Sequence, residues 1–508
     1  MATKKKEVRS YGQSYVPSYT SKELPIYQKK QVYFYGLNRN DDSDDGYLSD
    51  CLDIDASKFP AIVPSRSSSL IYNNSDTLEK PHSIYAFNGS VYVVSCNSGT
   101  LKIVKYAGGS TTTVTYEGTS ISDDIHRELA VYCAYEGGDD DIVYEKTAVY
   151  YLICMPDRIY IPVDFESGDE FEVIQDAPAL THMTVHNGRI FGAKEGLVIC
   201  SASTGFTDWT TDSSGVSEDS TLVYNETNAW YSTTQSNTKS LGDITAIVSY
   251  DGHPVFFKKD YMHQINNNKN PFRVYDIAPV GALSGRGVVV YNSVLYFVSG
   301  DGVYRYAGGY PEKISDPLNI HPTAFNEDCL LGAANDTLYF YIPFEDKKVI
   351  FTYGITTGQW AKISSVSEDL NCFTTLDETL YSVDKFGNVY IYNVGDYSEW
   401  EFCTTKLAMR EAEDKRLHSF KIGYGTANSS YETTVTVSVI DAYSQVHKVA
   451  KTETESGIES SLKVGLRGFD DVCHRIKVRG RGYIKVRSTN LIYSVSGKRY
   501  NSEFTYKE

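Results

Sequence analysis

The sequence lacks any apolar run near the ~20 residues that a bilayer-crossing helix needs, so no such helix is expected. Cys-x-x-Cys is absent as well. The nine cysteines, at 51, 96, 133, 154, 200, 329, 372, 403 and 473, are scattered and odd in number. That excludes a zinc ribbon or a dithiol redox pair. Their place inside strand-like patterns reads as reduced thiols acting as small core hydrophobes. A basic excess is also lacking. With 48 Lys and Arg against 65 Asp and Glu the net charge is −17, which argues against a protein whose main task is to grip phosphate backbones. The opening MATKKKEVRS has positive charge but no apolar segment behind it, so no secretory signal is expected and folding is placed in the cytoplasm.

Signatures of chemistry are missing too. Gly-x-Ser-x-Gly, His-Glu-x-x-His, Cys/His knuckles, a P-loop and a Gly-x-Gly-x-x-Gly running from strand to helix do not occur. No catalytic residue and no cofactor site is assigned, and the chain is read as a non-enzyme. Carboxylates are abundant at turn tips, so a glycosidase pair stays open by counting alone.

What is present is a repeated pattern of short strands. The chain has 42 Tyr and 38 Gly against five Met, a composition that suits pleated sheets and many turns. Residues 284–315 show the unit most plainly. Val288 to Tyr291 reads as a strand, Asn292-Ser293 as a tight turn and Val294 to Val298 as a second strand. Gly300-Asp301-Gly302 turns the chain again into Val303 to Tyr306. Similar units of roughly 35–50 residues fall at 82–117, 128–176, 180–211, 243–278, 325–363 and 370–407, with Asn88-Gly89, Asn187-Gly188, Asp251-Gly252, Asp336 and Asp377-Glu378 at their first turns. Seven four-stranded units around an axis make a β-propeller, which settles its sheet edges by radial closure. A β-helix would need shorter, more regular repeats. The polar stretch 212–240 is expected to be a surface excursion.

Both ends read differently from the middle. Residues 1–30, rich in Lys, Ser, Tyr and Gln, are expected to be an extended arm that docks elsewhere. From Glu401 onward there are 18 Lys and Arg against 13 Asp and Glu, which leaves −22 for residues 1–400. This shift places a boundary near 405, between a propeller over 31–405 and a β-sandwich-like domain over 406–508. Residues 406–417 are good helix formers at that boundary, a short helix or a charged linker. Beyond it, Val435, Val437 and Val439 alternate with polar residues. Arg475, Lys477 and Arg479 alternate with His474, Ile476 and Val478.

Four features are candidates for a site. Asp41, Ser43 and Asp45 stand at positions one, three and five of a calcium-type loop with Gly46 at six, but Leu52 takes the twelfth position, where a bidentate Glu is needed. The alternative is a solvated acidic turn. Residues 201–209 (SASTGFTDW) echo the Asp-box of sialidase propellers, departing at Thr204. The bland reading is a Trp packing a blade's outer strand, as Trp360 and Trp400 are expected to do at the ends of their units. Arg479-Gly480-Arg481-Gly482 suggests either an RNA-binding run or a bulge between strands. Arg475, Lys477, Arg479, Lys485 and Arg487 are expected to form one basic face, either solvated or turned to an acidic neighbouring subunit, or else contacting phosphate.

Two stretches together resemble the tail-hub or nozzle proteins of tailed bacteriophages, also called packaged-DNA stabilisation proteins. One is Phe34-Tyr35-Gly36-Leu37-Asn38, then Leu52-Asp53-Ile54-Asp55, then residues 59–66 (FPAIVPSR). The other is the repeated middle followed by Arg475-Ile476-Lys477-Val478-Arg479-Gly480. The acidic insert at 41–45 departs from the family pattern. The resemblance implies a virion protein assembled in the host cytoplasm. It would form a ring, commonly six-fold, below the portal and adaptor, through which DNA leaves. An acidic lumen would let DNA slide, and a loop, with 212–240 the candidate, would act as a gate. Two alternatives stay open: a receptor- or glycan-binding propeller at the tail tip, with loop aromatics as its surface, and a propeller glycoside hydrolase.

Overall fold

The computed structural model describes the chain except for residues 1–12, 17–25, 41–45, 75–81, 88, 98–99, 118–127, 138–143, 155–158, 163–170, 175–176, 204, 212–225, 233–239, 241, 268, 345–346, 368, 398, 407–414, 427–432, 442, 455–458, 467–469, 472–473 and 496–508. Seven four-stranded antiparallel sheets follow one another, as the repeats predict. They are called blades 1 to 7 and begin with the strands Ser83–Phe87, Glu128–Gly137, His182–His186, Ala246–Tyr250, Val288–Tyr291, Leu330–Ala334 and Leu370–Leu376. These first strands stand at the centre, and those of blades 7 and 1 lie side by side. The ring is therefore closed. Its seam is stitched by a strand from earlier in the chain: Ser69–Tyr72 pairs with Val389–Ile391 as the outermost strand of blade 7.

The first hairpins of blades 3 to 7 repeat one device. In blades 3 to 7 both turn residues have positive φ: Asn187 and Gly188, Asp251 and Gly252, Asn292 and Ser293, Asn335 and Asp336, Asp377 and Glu378. This two-residue turn matches the right-handed twist of the strands it joins, and Asn, Asp and Gly adopt it with least strain. Between blades the sheets meet through large apolar side chains. Phe191 and Ile247 join blades 3 and 4, Phe257 and Phe297 join 4 and 5 with ring centroids 5.0 Å apart, and Tyr341 and Phe373 join 6 and 7.

Two further sheets form the sandwich, and they take strands from early and from late in the chain. In one, Gln13–Val16, Ile26–Gln31, Ile484–Val495, Lys415–Thr426 and Glu459–Gly465 lie in that order. In the other the order is Leu48–Leu52, Glu399–Thr404, Arg475–Arg481, Thr433–Ile440 and Val446–Thr454. The boundary expected near 405 therefore does not separate the two bodies: Ile26–Gln31, Leu48–Leu52 and Glu399–Thr404 all belong to sandwich sheets. The described part of the expected arm is likewise strand; of residues 406–417, read as a short helix or a charged linker, 407–414 lie outside the described residues and 415–417 already belong to the strand Lys415–Thr426. Hydrophobic pairing overrides the local cues, because these strands alternate too weakly to announce a partner several hundred residues away.

Trp400 is placed by this arrangement. It sits in the sandwich, not at the end of a blade, directly opposite Gly480 on the neighbouring strand. A Cβ on Gly480 would come within 2.2 Å of the Trp400 ring, and the indole N–H donates to the Gly482 carbonyl at 2.9 Å. The Arg-Gly-Arg-Gly run is thus a seat for a buried indole. Trp360 does close its blade, donating to the Ile314 carbonyl at 2.7 Å. Blade 3 ends on Trp230–Tyr231, inside the stretch expected to be a pure excursion.

One core runs from blades 5 and 6 through Phe34, Ile54 and Ile62 into the sandwich, where it includes Trp400, Val437 and Val486. Gly480→Ala is expected to lower unfolding free energy by about 1–3 kcal/mol through overpacking, while Gly465→Ala, with nothing within 4 Å of the added carbon, changes it little. Urea denaturation of the two variants compares them.

Candidate functional site

The inner strands enclose a central cavity of about 860 Å³. At one mouth Arg286 donates to the carbonyls of Asn371 and Glu327 at 3.1 and 3.0 Å, joining the entries of blades 5, 6 and 7. Lys259 pairs with the Glu327 carboxylate at 2.8 Å. At the other mouth the turn residues meet. Glu378 accepts from the Tyr291 hydroxyl and from the Asn335 N–H, and the Asp336 N–H donates to the Tyr291 oxygen at 3.1 Å. His186 bonds Ser249 at 2.8 Å and the Tyr250 hydroxyl donates to the Ser293 carbonyl at 3.3 Å. A belt of polar contacts thus joins blades 3 to 7 at this face. Burial and the neighbouring carboxylates hold the Tyr291 phenol above its usual range, so it stays a donor.

Three carboxylates, Glu327, Asp377 and Glu378, line the cavity against one guanidinium. The two mouths are separated by a five-residue strand, roughly 17 Å. Glu327 and Glu378 are therefore too far apart for the acid and nucleophile of a glycosidase. His182 and His186 stand four apart, a spacing that would pair them on a helix, but they lie at the two ends of a strand. Among the described residues no group of three or more His, Cys, Asp or Glu could hold a metal. Asp41, Ser43 and Asp45 lie outside the described residues.

The five basic residues do not form one face. Arg475, Lys477 and Arg479 alternate outward on one sandwich sheet, and Lys485 and Arg487 on the other, with Ile476, Val478, Ile484 and Val486 buried between the sheets. On the first sheet Lys477 pairs with Glu401 at 2.8 Å and Arg479 with Glu399, cross-strand neighbours that offset their charge. The segment 201–209 serves packing: Ser201 accepts from the Ile190 N–H, and the buried Arg189 donates to the carbonyls of Ser201, Glu226 and Asn228. Cys51, Cys200, Cys329, Cys372 and Cys403 are buried and free, and burial pushes the Cys51 thiol up to about 12.

A second cleft, of about 430 Å³, lies where the propeller meets the sandwich, and sequence reasoning missed it. Its cations are Lys58, Arg66 and Lys485, and its aromatics are Tyr397 and Tyr483. They come from three stretches of chain far apart in sequence, and only Lys485, in an alternating strand, and Arg66, at the end of FPAIVPSR, carried any signal.

Architecture and sites together define a closed seven-bladed β-propeller built into a β-sandwich. No protein-family model matches the chain, and no curated protein matches it. Among solved structures it is similar to BamB from Moraxella catarrhalis, with 10% identity over 66% of this chain and 98% of that one and a TM-score of 0.36. It is similar to Sqt1 from Saccharomyces cerevisiae, with 12% identity, 67% and 96% coverage and a TM-score of 0.36. A Trypanosoma rangeli sialidase in complex with sialic acid gives 8%, 93% and 96%, and 0.28. The propeller assignment rests on the chain's own closed ring of sheets.

Tyr291→Phe is expected to lower unfolding free energy by about 1–2 kcal/mol, since it leaves the Asp336 N–H without its partner, with secondary structure unchanged by circular dichroism. A pH effect follows from His263. It is fully buried, stacks on Phe256 with centroids 4.7 Å apart and bonds Asp276 at 3.0 Å. Burial lowers its pKa, with Asp276 opposing. The unfolded chain therefore takes up a proton that the folded chain resists, and stability falls as pH drops below about 6.5. Urea midpoints at about pH 7 and about pH 5 should differ less in His263→Gln than in the wild type.

Proposed function

We propose that this chain is a structural subunit of a phage tail, a hub or nozzle protein that assembles as a ring below the portal and adaptor and forms the DNA exit channel. The observation that carries the reading is the incorporation of early strands of the chain among late ones. The seam of the propeller is closed by Ser69–Tyr72, and the sandwich interleaves Ile26–Gln31 and Leu48–Leu52 with strands from 399 onward. Such a body resists shear between its parts, because separating them breaks sheet pairing and a continuous core together. Its work in this reading is shape and charge, with no bond-making step. The −22 carried by residues 1–400 supports a lumen that repels phosphate and lets DNA pass without counterion-release binding.

Negative-stain class averages of the purified chain are expected to show closed rings, with six subunits favoured, and imaging of virions should place them between portal and tail tip. Single discs together with turnover of a saccharide would overturn the reading in favour of a hydrolase.

A further inference from the structure

We infer that the cleft between propeller and sandwich binds an acidic saccharide, one whose sugar ring carries a carboxylate. This holds whether or not the chain is a virion subunit. The cleft is held by both bodies. The Val486 N–H donates to the Ile62 carbonyl at 2.9 Å, the Asp55 N–H to the Val63 carbonyl at 2.9 Å, and the Arg66 N–H to the Asn393 side-chain oxygen at 3.2 Å. Cations therefore project from a fixed frame. Lys58 and Lys485 are exposed, and among the described residues neither side chain has an ion pair or hydrogen bond. The one carboxylate in the lining, Asp55, accepts from the N–H and the hydroxyl of Ser57 at 3.0 and 2.7 Å. A chain of net charge −17 thus keeps a local positive excess here.

The remaining groups choose among anions. Tyr397 and Tyr483 meet edge to face at 5.1 Å, and the Arg66 guanidinium lies over the Tyr397 ring at 5.5 Å. An aromatic side chain packs against the C–H face of a pyranose, and a guanidinium beside it suits a carboxylate. The Asn393 amide, its oxygen taken by Arg66, has its N–H groups left to donate to a hydroxyl. The volume lies within the range of small-ligand pockets. A nucleic-acid strand fits less well. Repulsion from the whole chain acts on every phosphate of a polyanion, while a single carboxylate mainly feels charges within a Debye length of roughly 8 Å.

The test is calorimetric titration of the full chain with a galacturonate trisaccharide, the uncharged galactose trisaccharide, inorganic phosphate and a single-stranded oligonucleotide. The acidic trisaccharide is expected to bind at least about tenfold tighter than the neutral one. Lys58→Gln and Lys485→Gln should each weaken it about five- to tenfold, the weight of one charge-assisted contact, with melting temperature unchanged because both side chains are exposed. Equal binding of the two trisaccharides, or none at millimolar concentration, would overturn the inference. Phosphate binding as tightly as the acidic sugar would reduce the cleft to a simple anion hole and overturn it too. So would tighter, Lys485-dependent binding of the oligonucleotide. Failure in any of these ways leaves the ring counts of the purified chain untouched, so the two readings fail separately.

Discussion

Every open sheet must dispose of its edges, and this fold depends on how it does so. A ring of seven blades has one seam. The seam is closed by backbone pairing between Ser69–Tyr72 and Val389–Ile391, segments more than 300 residues apart. That pairing commits the residues just before it. The chain from 53 to 68 must run across the edge of blade 6, where the Asp53 carboxylate accepts from the N–H and hydroxyl of Ser364, both at 2.8 Å. Gly36 packs where a Cβ would meet the Trp360 carbonyl at 2.7 Å. The sandwich is thereby fixed to blades 5 and 6 by the same stretch that completes the ring, and one continuous core covers both.

Charge follows the same plan. The basic alternation on Arg475–Arg481 is answered one strand away by Glu399 and Glu401. Around the central cavity, carboxylates and hydroxyls are largely spent on holding neighbouring blades together. The cleft beside Arg66 brings together Lys58 and Lys485, whose side chains have no such partner among the described residues, and it exists because two bodies meet there.

Local signals carried much of the fold. Asn187-Gly188, Asp251-Gly252 and Asn292-Ser293 announced their hairpins because few residues tolerate positive φ, and Val288 to Tyr306 announced strands through branched and aromatic side chains. Six such first turns, with the strands of 128–176 as a further unit, give the seven blades. Outer strands were less legible: Trp230–Tyr231 and Glu312–Lys313 are two residues long and lack alternation. The mixed parentage of the sandwich was invisible, since pairing of Ile26–Gln31 with Ile484–Val495 is a property of the collapsed chain. The Arg-Gly-Arg-Gly run showed its glycines but not the indole that requires them. The basic face failed for a related reason: a turn at Gly482, φ +81, carries the chain from one sheet to the other and divides the five cations. Nothing in 58, 66, 397, 483 and 485 as numbers suggests that they share a cleft.

The pairing of Ile26–Gln31 with Ile484–Val495 has a consequence for biosynthesis. At about 5–20 residues per second, the ribosome needs about 20–90 s to make the partner of the earlier strand. Throughout that interval the nascent chain carries an unmatched ribbon that is a template for a neighbour on the same messenger. Lys29 and Lys30 on that ribbon, one charge on each face of the strand, are the kind of residues that discourage such pairing.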